Sequence, residues 1–169
     1  MALVRMDIQS VVVGGGPMAS LVVLKAREND CEAATKLPIR IGRVEAAAIS
    51  MGLDSSLHER PMTHDLLQNV ITGLGASISN VVIANVSGTT FYAQLNLVSA
   101  AGEAISIDAR PSDALALAVR THTPIYAHER VLNTATLPDF DAVERDERER
   151  EAQAFHEFVE GLSPEDFAG

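Results

Sequence analysis

The sequence has few of the residues that mark secreted and membrane-spanning proteins. It contains one cysteine, Cys31, and no tryptophan, and aromatic residues make up 4% of the chain. A single cysteine excludes an intrachain disulfide and argues strongly against a cysteine-based zinc site. No run of 18 or more apolar residues occurs, and the N-terminus lacks the basic region and apolar stretch of a signal peptide. These absences predict a cytoplasmic protein without a membrane span.

Basic charge is also scarce, and the charge is unevenly placed. The chain has 13 Lys and Arg against 23 Asp and Glu, a net charge of −10. Residues 139–169 hold 11 acidic and 3 basic side chains (−8), whereas residues 1–138 hold 12 acidic and 10 basic (−2). The body therefore has no broad basic surface for tight, salt-sensitive binding of nucleic acid. Transient contact with a phosphodiester at a local site stays open.

The change in composition divides the chain into a domain at 1–138 and an acidic, mostly helical tail at 139–169. Apolar residues recur at helical spacing in the tail: Ala152, Phe155, Phe158, Val159 and Leu162. Such a helix can dock its apolar stripe on its own body, or it can serve as an appendage for a partner or for oligomerisation.

The body contains two blocks of strands, and each block is followed by helices. Short glycine turns separate three alternating apolar segments before Gly42, and three more run from Val81 to Ala109. Helices are predicted at 44–51, 64–74, 112–121 and 129–135, with Thr63 as the N-cap of the second and a short extended piece at 125–127. The order predicts an α+β domain whose strands form one curved, mainly antiparallel sheet covered by the helices.

The two halves match at a shift of 68 residues. The shift places Ile39 on Ile107 and Glu45 on Asp113, so each half has an acidic residue in the first turn of an alanine-rich helix just after a strand. Together with the order of elements, this favours duplicated β-β-β-α-α units.

Four phrases stand out: LPIRIG at 37–42, RPMTHDL at 60–66, TFYA at 90–93 and DARPSDA at 108–114. In these phrases, and in their order, residues 4–138 resemble the bifunctional nuclease family, the DUF151 domain. Arg40 stands where an aromatic residue is common in the family. The resemblance implies duplicated units whose strands form a single barrel-like sheet, and it implies hydrolysis of RNA and DNA.

The residue types in these phrases suit phosphodiester hydrolysis. Mg²⁺ or Mn²⁺ bound by carboxylates can activate water and stabilise charge, His carries protons near neutral pH, and Arg binds phosphate. The predicted catalytic residues are His64, Asp65, Asp113 and Glu45. Arg60, Arg110 and Ser112 are predicted to bind substrate, and Asp108 and Asp113 to bind the metal.

Each of these residues also has a purely structural interpretation. Asp65 and Asp113 both lie in a first helical turn, where a carboxylate stabilises the helix without any catalysis. Arg110 can bond carbonyl groups or pair with Asp108 or Asp113. His64 and Asp65 are adjacent, and adjacent helical residues do not face each other, so they cannot easily share one metal.

The leading interpretation is a metal-assisted nuclease that contacts nucleic acid transiently and forms a homodimer through a sheet edge or an apolar helix face. The alternative is a non-catalytic binding or regulatory domain of the same fold, which the acidic charge favours. If the protein is a nuclease, the phrases should converge in space.

Overall fold

A computed structural model describes residues 2–15, 19–27, 35–54 and 60–135. It contains seven strands and four helices in an order that follows the sequence prediction. The strands are β1 Leu3–Val12, β2 Ser20–Ala26, β3 Lys36–Ile41, β4 Ser77–Ser87, β5 Thr90–Val98, β6 Ala104–Ala109 and β7 Ile125–His128. The helices are α1 Arg43–Leu53, α2 Thr63–Gly73, α3 Pro111–Thr121 and α4 Glu129–Thr134. The predicted tail at 139–169 lies outside the described residues.

All seven strands belong to one sheet, in the order β3-β2-β1-β7-β4-β5-β6. Two antiparallel meanders, β1-β2-β3 and β4-β5-β6, flank β7, which pairs antiparallel with β1 and parallel with β4. The predicted single, mainly antiparallel sheet is therefore confirmed. Among the described strands, β3 and β6 are each paired on one side only, so the sheet does not close into the barrel that the resemblance implied. Duplication stays a prediction.

The core lies between the sheet and α3. Alternate strand residues are fully buried, among them Met6, Val22, Leu24 and Ile83, because only one face of each strand meets the helices. Helix α3 is buried from Pro111 to Ala118 except at Asp113, and its alanines let α1 and α2 pack against it. None of the helices in the described ranges has the length and apolar content that a membrane span requires.

One helix boundary differs from the prediction. Met62, not Thr63, is the N-cap of α2, and its backbone N–H donates to Asp65 Oδ2 at 2.8 Å. The acidic side chain at the third helical position thus reaches back to the cap residue, which stabilises the helix start one residue earlier than the hydroxyl of Thr63 would.

The fold brings two helix starts close together. Helix α1 begins directly after β3 and α3 begins directly after β6, although these strands lie at opposite edges of the sheet. Residues from the β3 edge, the start of β5 and the start of α3 nevertheless line one cleft. The sheet must therefore curve strongly, in agreement with the curved sheet that the sequence predicted.

Candidate functional site

The cleft between the two strand-to-helix junctions has a volume of about 290 Å³. Its wall comes from three of the four sequence phrases. The lining residues are Ile39, Arg40, Ile41, Gly42, Glu45, Thr89, Thr90, Phe91, Arg110, Pro111 and Ser112. The phrases at 37–42 and 108–114 thus meet at this cleft, whereas no residue of the phrase at 60–66 lines it.

Arg110 connects the two junctions. Its Nη1 donates to Glu45 Oε1 at 3.1 Å, while Nε and Nη2 donate to the two carboxylate oxygens of Asp113 at 2.7 and 3.1 Å. The guanidinium is mostly exposed, and the hydrogen bonds and charge of Asp113 raise its pKa above the ordinary arginine value. Of the two alternatives for Arg110, pairing with Asp113 is the one that the structure adopts.

Gly42 makes room for Glu45. It is the N-cap of α1, and a Cβ at this position would overlap the Glu45 carboxylate. The absence of a side chain lets Glu45 fold back over the helix start, where the helix dipole favours a negative charge and where Arg110 reaches it. The glycine that ends the LPIRIG phrase therefore helps to position a charged group of the cleft.

His64 joins the same cluster from α2. Its Nε2 lies 3.4 Å from Asp113 Oδ1, and its side chain is 17% exposed. Burial alone would raise the pKa of Asp113, but hydrogen bonds and charges from Arg110 and His64 outweigh this effect and hold that pKa below its usual value. Asp113 is thus a carboxylate at pH 7, and it can orient the imidazole.

Asp65 has a different environment. Its Oδ1 accepts a hydrogen bond from Arg120 Nε at 2.6 Å, and its Oδ2 accepts the Met62 N–H. Arg120 is only 6% exposed and also donates to the carbonyl oxygens of Ala48 and Ala116. Asp65 therefore has the structural role that was one of its two interpretations: it stabilises the start of α2 and ties this helix to α3.

The remaining candidates make no hydrogen bond or ion pair with the cluster in the described part of the chain. Asp108 is exposed on β6 opposite Gln94, and Arg60 is exposed just before α2. Ser112 lines the cleft and is 6% exposed, and no described residue bonds its hydroxyl group. Within the described ranges, no group of three His, Cys, Asp or Glu side chains is arranged to hold a metal ion.

Sequence reasoning missed two residues that shape the site. Arg40 lines the cleft from the edge strand β3, and Arg120 fixes the packing of α2 on α3. Arg40 could have been found, because it lies within the first phrase. Basic residues are common in the last turn of a helix, where they are usually exposed. The sequence therefore contained no indication that Arg120 would be buried.

Comparison with known proteins supports the resemblance seen in the phrases. The family model described as the bifunctional nuclease domain matches residues 22–139. Two curated sequences of Mycobacterium tuberculosis, "Uncharacterized protein MT1877" from strain CDC 1551 / Oshkosh and "Uncharacterized protein Rv1829" from strain ATCC 25618 / H37Rv, are similar to the chain. Each is 42% identical over 139 residues, covering 78% of this chain and 80% of the relative.

Proposed function

Because the chain belongs to the bifunctional nuclease domain family, we propose that it hydrolyses phosphodiester bonds of RNA, DNA or both. The observation that carries the proposal is the cluster of Glu45, His64, Arg110 and Asp113. His64, Arg110 and Asp113 come from two of the phrases, and Glu45 follows the first phrase by three residues. Hydrogen bonds join these four ionisable side chains beside one cleft. A proton carrier, a phosphate-binding cation and two carboxylates are the groups that such hydrolysis needs.

His64 is the proposed general acid or base. A histidine is best suited to proton transfer near neutral pH, and a neighbouring carboxylate fixes its tautomer and orientation. Asp113 occupies that position at 3.4 Å from Nε2, a separation that can shorten when substrate binds. In this arrangement Asp113 orients His64, and the other ring nitrogen exchanges the proton.

Arg110 is the proposed phosphate ligand. Its guanidinium is exposed and planar, so it can give two parallel hydrogen bonds to phosphate oxygens. A phosphate competes with Glu45 and Asp113 for the same donors, and its binding frees carboxylate oxygens at the edge of the cleft. Arg60, which precedes α2, is proposed as a second cation that contacts the nucleic-acid strand.

The two carboxylates fit a hard divalent cation. Mg²⁺ and Mn²⁺ prefer oxygen ligands, and Mg²⁺ is often held by one or two carboxylates together with substrate phosphates. Glu45 and Asp113 would hold the ion, with Asp108 as a further candidate, and the bound ion would supply an activated water and charge stabilisation.

The test is cleavage of RNA and DNA by highly purified protein with and without Mg²⁺ or Mn²⁺. Asp113→Asn and His64→Ala should each lower the rate at least about tenfold, roughly 1.4 kcal/mol of barrier. Their circular dichroism should match that of the wild type. Lys36→Gln, an exposed change at the far end of β3, serves as the control and should cleave normally.

Equal cleavage by all four proteins would identify a contaminating nuclease and would reject the proposal. The second candidate function, a non-catalytic binding or regulatory domain, would then be the better-supported one. One observation favours it: Arg110 already pairs with both Glu45 and Asp113, as expected when charges serve architecture. The net charge of −10 also fits weak, transient contact with nucleic acid better than stable binding.

The proposal includes a homodimer in the cytoplasm. Within the described ranges, strands β3 and β6 are the edges of the sheet, and an exposed edge is a place where a second chain can pair. Large apolar side chains are exposed on β6, on α2 and at the C-cap of α2: Ile105, Ile107, Leu66, Leu67, Val70 and Leu74. These surfaces are the proposed contact between two copies.

A further inference from the structure

The cleft has a second basic wall that the proposed chemistry does not use. Arg40 lines it from the open edge of the sheet, opposite the start of α3, and its side chain is exposed. Arg110 on the other wall is bound to two carboxylates. Within the described ranges no acidic side chain pairs with Arg40, so its charge is available to a ligand.

The opposite wall contains a largely buried serine. Ser112 is 6% exposed, it lines the cleft, and its hydroxyl makes no hydrogen bond to any residue that the structure describes. A hydroxyl group on the wall of a cleft, with no protein partner in the described ranges, is free to donate a hydrogen bond to a bound ligand. Ser112 is also the second residue of α3, a helix of 11 residues whose N-terminus favours an anion.

We infer that Arg40 and Ser112 form a phosphate subsite in the cleft, separate from the phosphate that Arg110 holds. This inference rests on the proposed function and adds the substrate class: an oligonucleotide strand that spans two phosphates. The cleft volume of about 290 Å³ suits one nucleotide-sized unit, so the strand continues over the rim. Arg40 supplies charge, and Ser112 donates a hydrogen bond to the same group.

Fluorescence anisotropy tests the subsite directly. The probe is a fluorescein-labelled phosphorothioate DNA strand of about ten nucleotides, which resists hydrolysis, titrated with the full chain in the presence of Mg²⁺. Affinity is measured at several salt concentrations between about 50 and 200 mM. Arg40→Gln and Ser112→Ala are compared with Lys36→Gln, which removes the same charge from the same strand and face.

The three variants should differ in their affinity for the strand and in the salt dependence of that affinity. Arg40→Gln should weaken binding at least about tenfold at low salt and lower the slope of log affinity against log salt by about 0.7, the value for one phosphate of a single strand. Ser112→Ala should weaken binding about threefold without changing the slope, because the hydroxyl group is neutral. Lys36→Gln should bind like the wild type.

The failures are distinguishable. If the wild type does not bind the strand, the proposed function fails together with the subsite. If the wild type binds and either Arg40→Gln or Ser112→Ala binds like Lys36→Gln, the subsite alone is wrong. A mononucleotide carrying a 5′-phosphate should compete poorly with the labelled strand. Equal competition per phosphate would show a mononucleotide site and would overturn the assignment of an oligonucleotide.

Discussion

At the scale of single residues, the environment of Asp113 decides what the site can do. An acidic residue in a first helical turn often stabilises the helix start, and Asp65 does so here while it also pairs with Arg120 of α3. Asp113 instead places one oxygen near His64 and both oxygens on Arg110. The same residue type at the same helical position thus has two roles, because the neighbouring elements differ.

The lowered pKa of Asp113 predicts a specific pH dependence of stability. A carboxyl group whose pKa is lower in the folded chain than in the unfolded chain stabilises the fold at every pH above its unfolded-state pKa. This contribution is lost as pH falls through the folded-state pKa. Asp113→Asn should therefore be less stable than the wild type near pH 6, and the gap should shrink as pH falls below about 4. Urea unfolding at a series of pH values measures the gap.

Arg110→Gln provides the control for this pH effect. Arg110 is the partner that contributes most to lowering the pKa of Asp113. In proteins that carry Arg110→Gln, the loss of unfolding free energy caused by Asp113→Asn should therefore be smaller at pH 6 than in the wild type. A gap that stays constant from pH 6 to pH 3 would show that Arg110 and His64 do not stabilise the Asp113 carboxylate.

At the scale of elements, Arg120 links the three long helices. From its position in α3 it reaches Asp65 in α2 and the Ala48 carbonyl oxygen in α1. Gly52 of α1 leaves space for this side chain, because a Cβ there would lie 2.6 Å from Arg120 Nη1. The start of α2, and with it His64, is therefore held in place by a nearly buried ion pair.

Arg120→Met should destabilise the fold by about 2–3 kcal/mol. The methionine fills similar space, but it removes the charged donor of Asp65 Oδ1 and the side-chain donor of the Ala48 carbonyl oxygen. Arg27→Met is the matched control, since Arg27 pairs with Asp7 where both side chains are about half exposed. It should cost less than about 1 kcal/mol. Urea unfolding compares the two, and equal losses would contradict the proposed link.

At the scale of the whole molecule, a single strand joins two antiparallel meanders. Strand β7 has four residues, yet it pairs with both β1 and β4 and so makes one sheet out of two meanders. The curvature of this sheet brings the starts of α1 and α3 to one cleft. The site therefore depends on the complete sheet and not on either meander alone.

The open edges predict association of two chains. Light scattering at micromolar concentration should give the mass of a dimer, since exposed apolar side chains on an edge strand favour pairing. Ile107→Lys tests the β6 edge and Val70→Lys tests α2, and the variant that yields monomer identifies the contact. A wild-type chain that is monomeric under these conditions would remove the homodimer from the proposal.

The sequence by itself determined the local structure and the types of residue that the site contains. Alternation in β1 predicted its buried face, and Pro111 marked the start of α3, because both signals act over a few residues. The phrases contain His64, Arg110 and Asp113, and Glu45 follows the first phrase closely, so the residue types of the cluster follow from the sequence alone.

The tertiary structure decided which of these residues meet. His64 and Asp113 are 49 positions apart, and Asp65 and Arg120 are 55 apart, so no local pattern could pair them. The sequence predicted only a short extended piece at 125–127, and the fold made it the strand between the halves. Such choices depend on burial and pairing across the whole chain, where a local preference of about 1 kcal/mol or less is outweighed by packing.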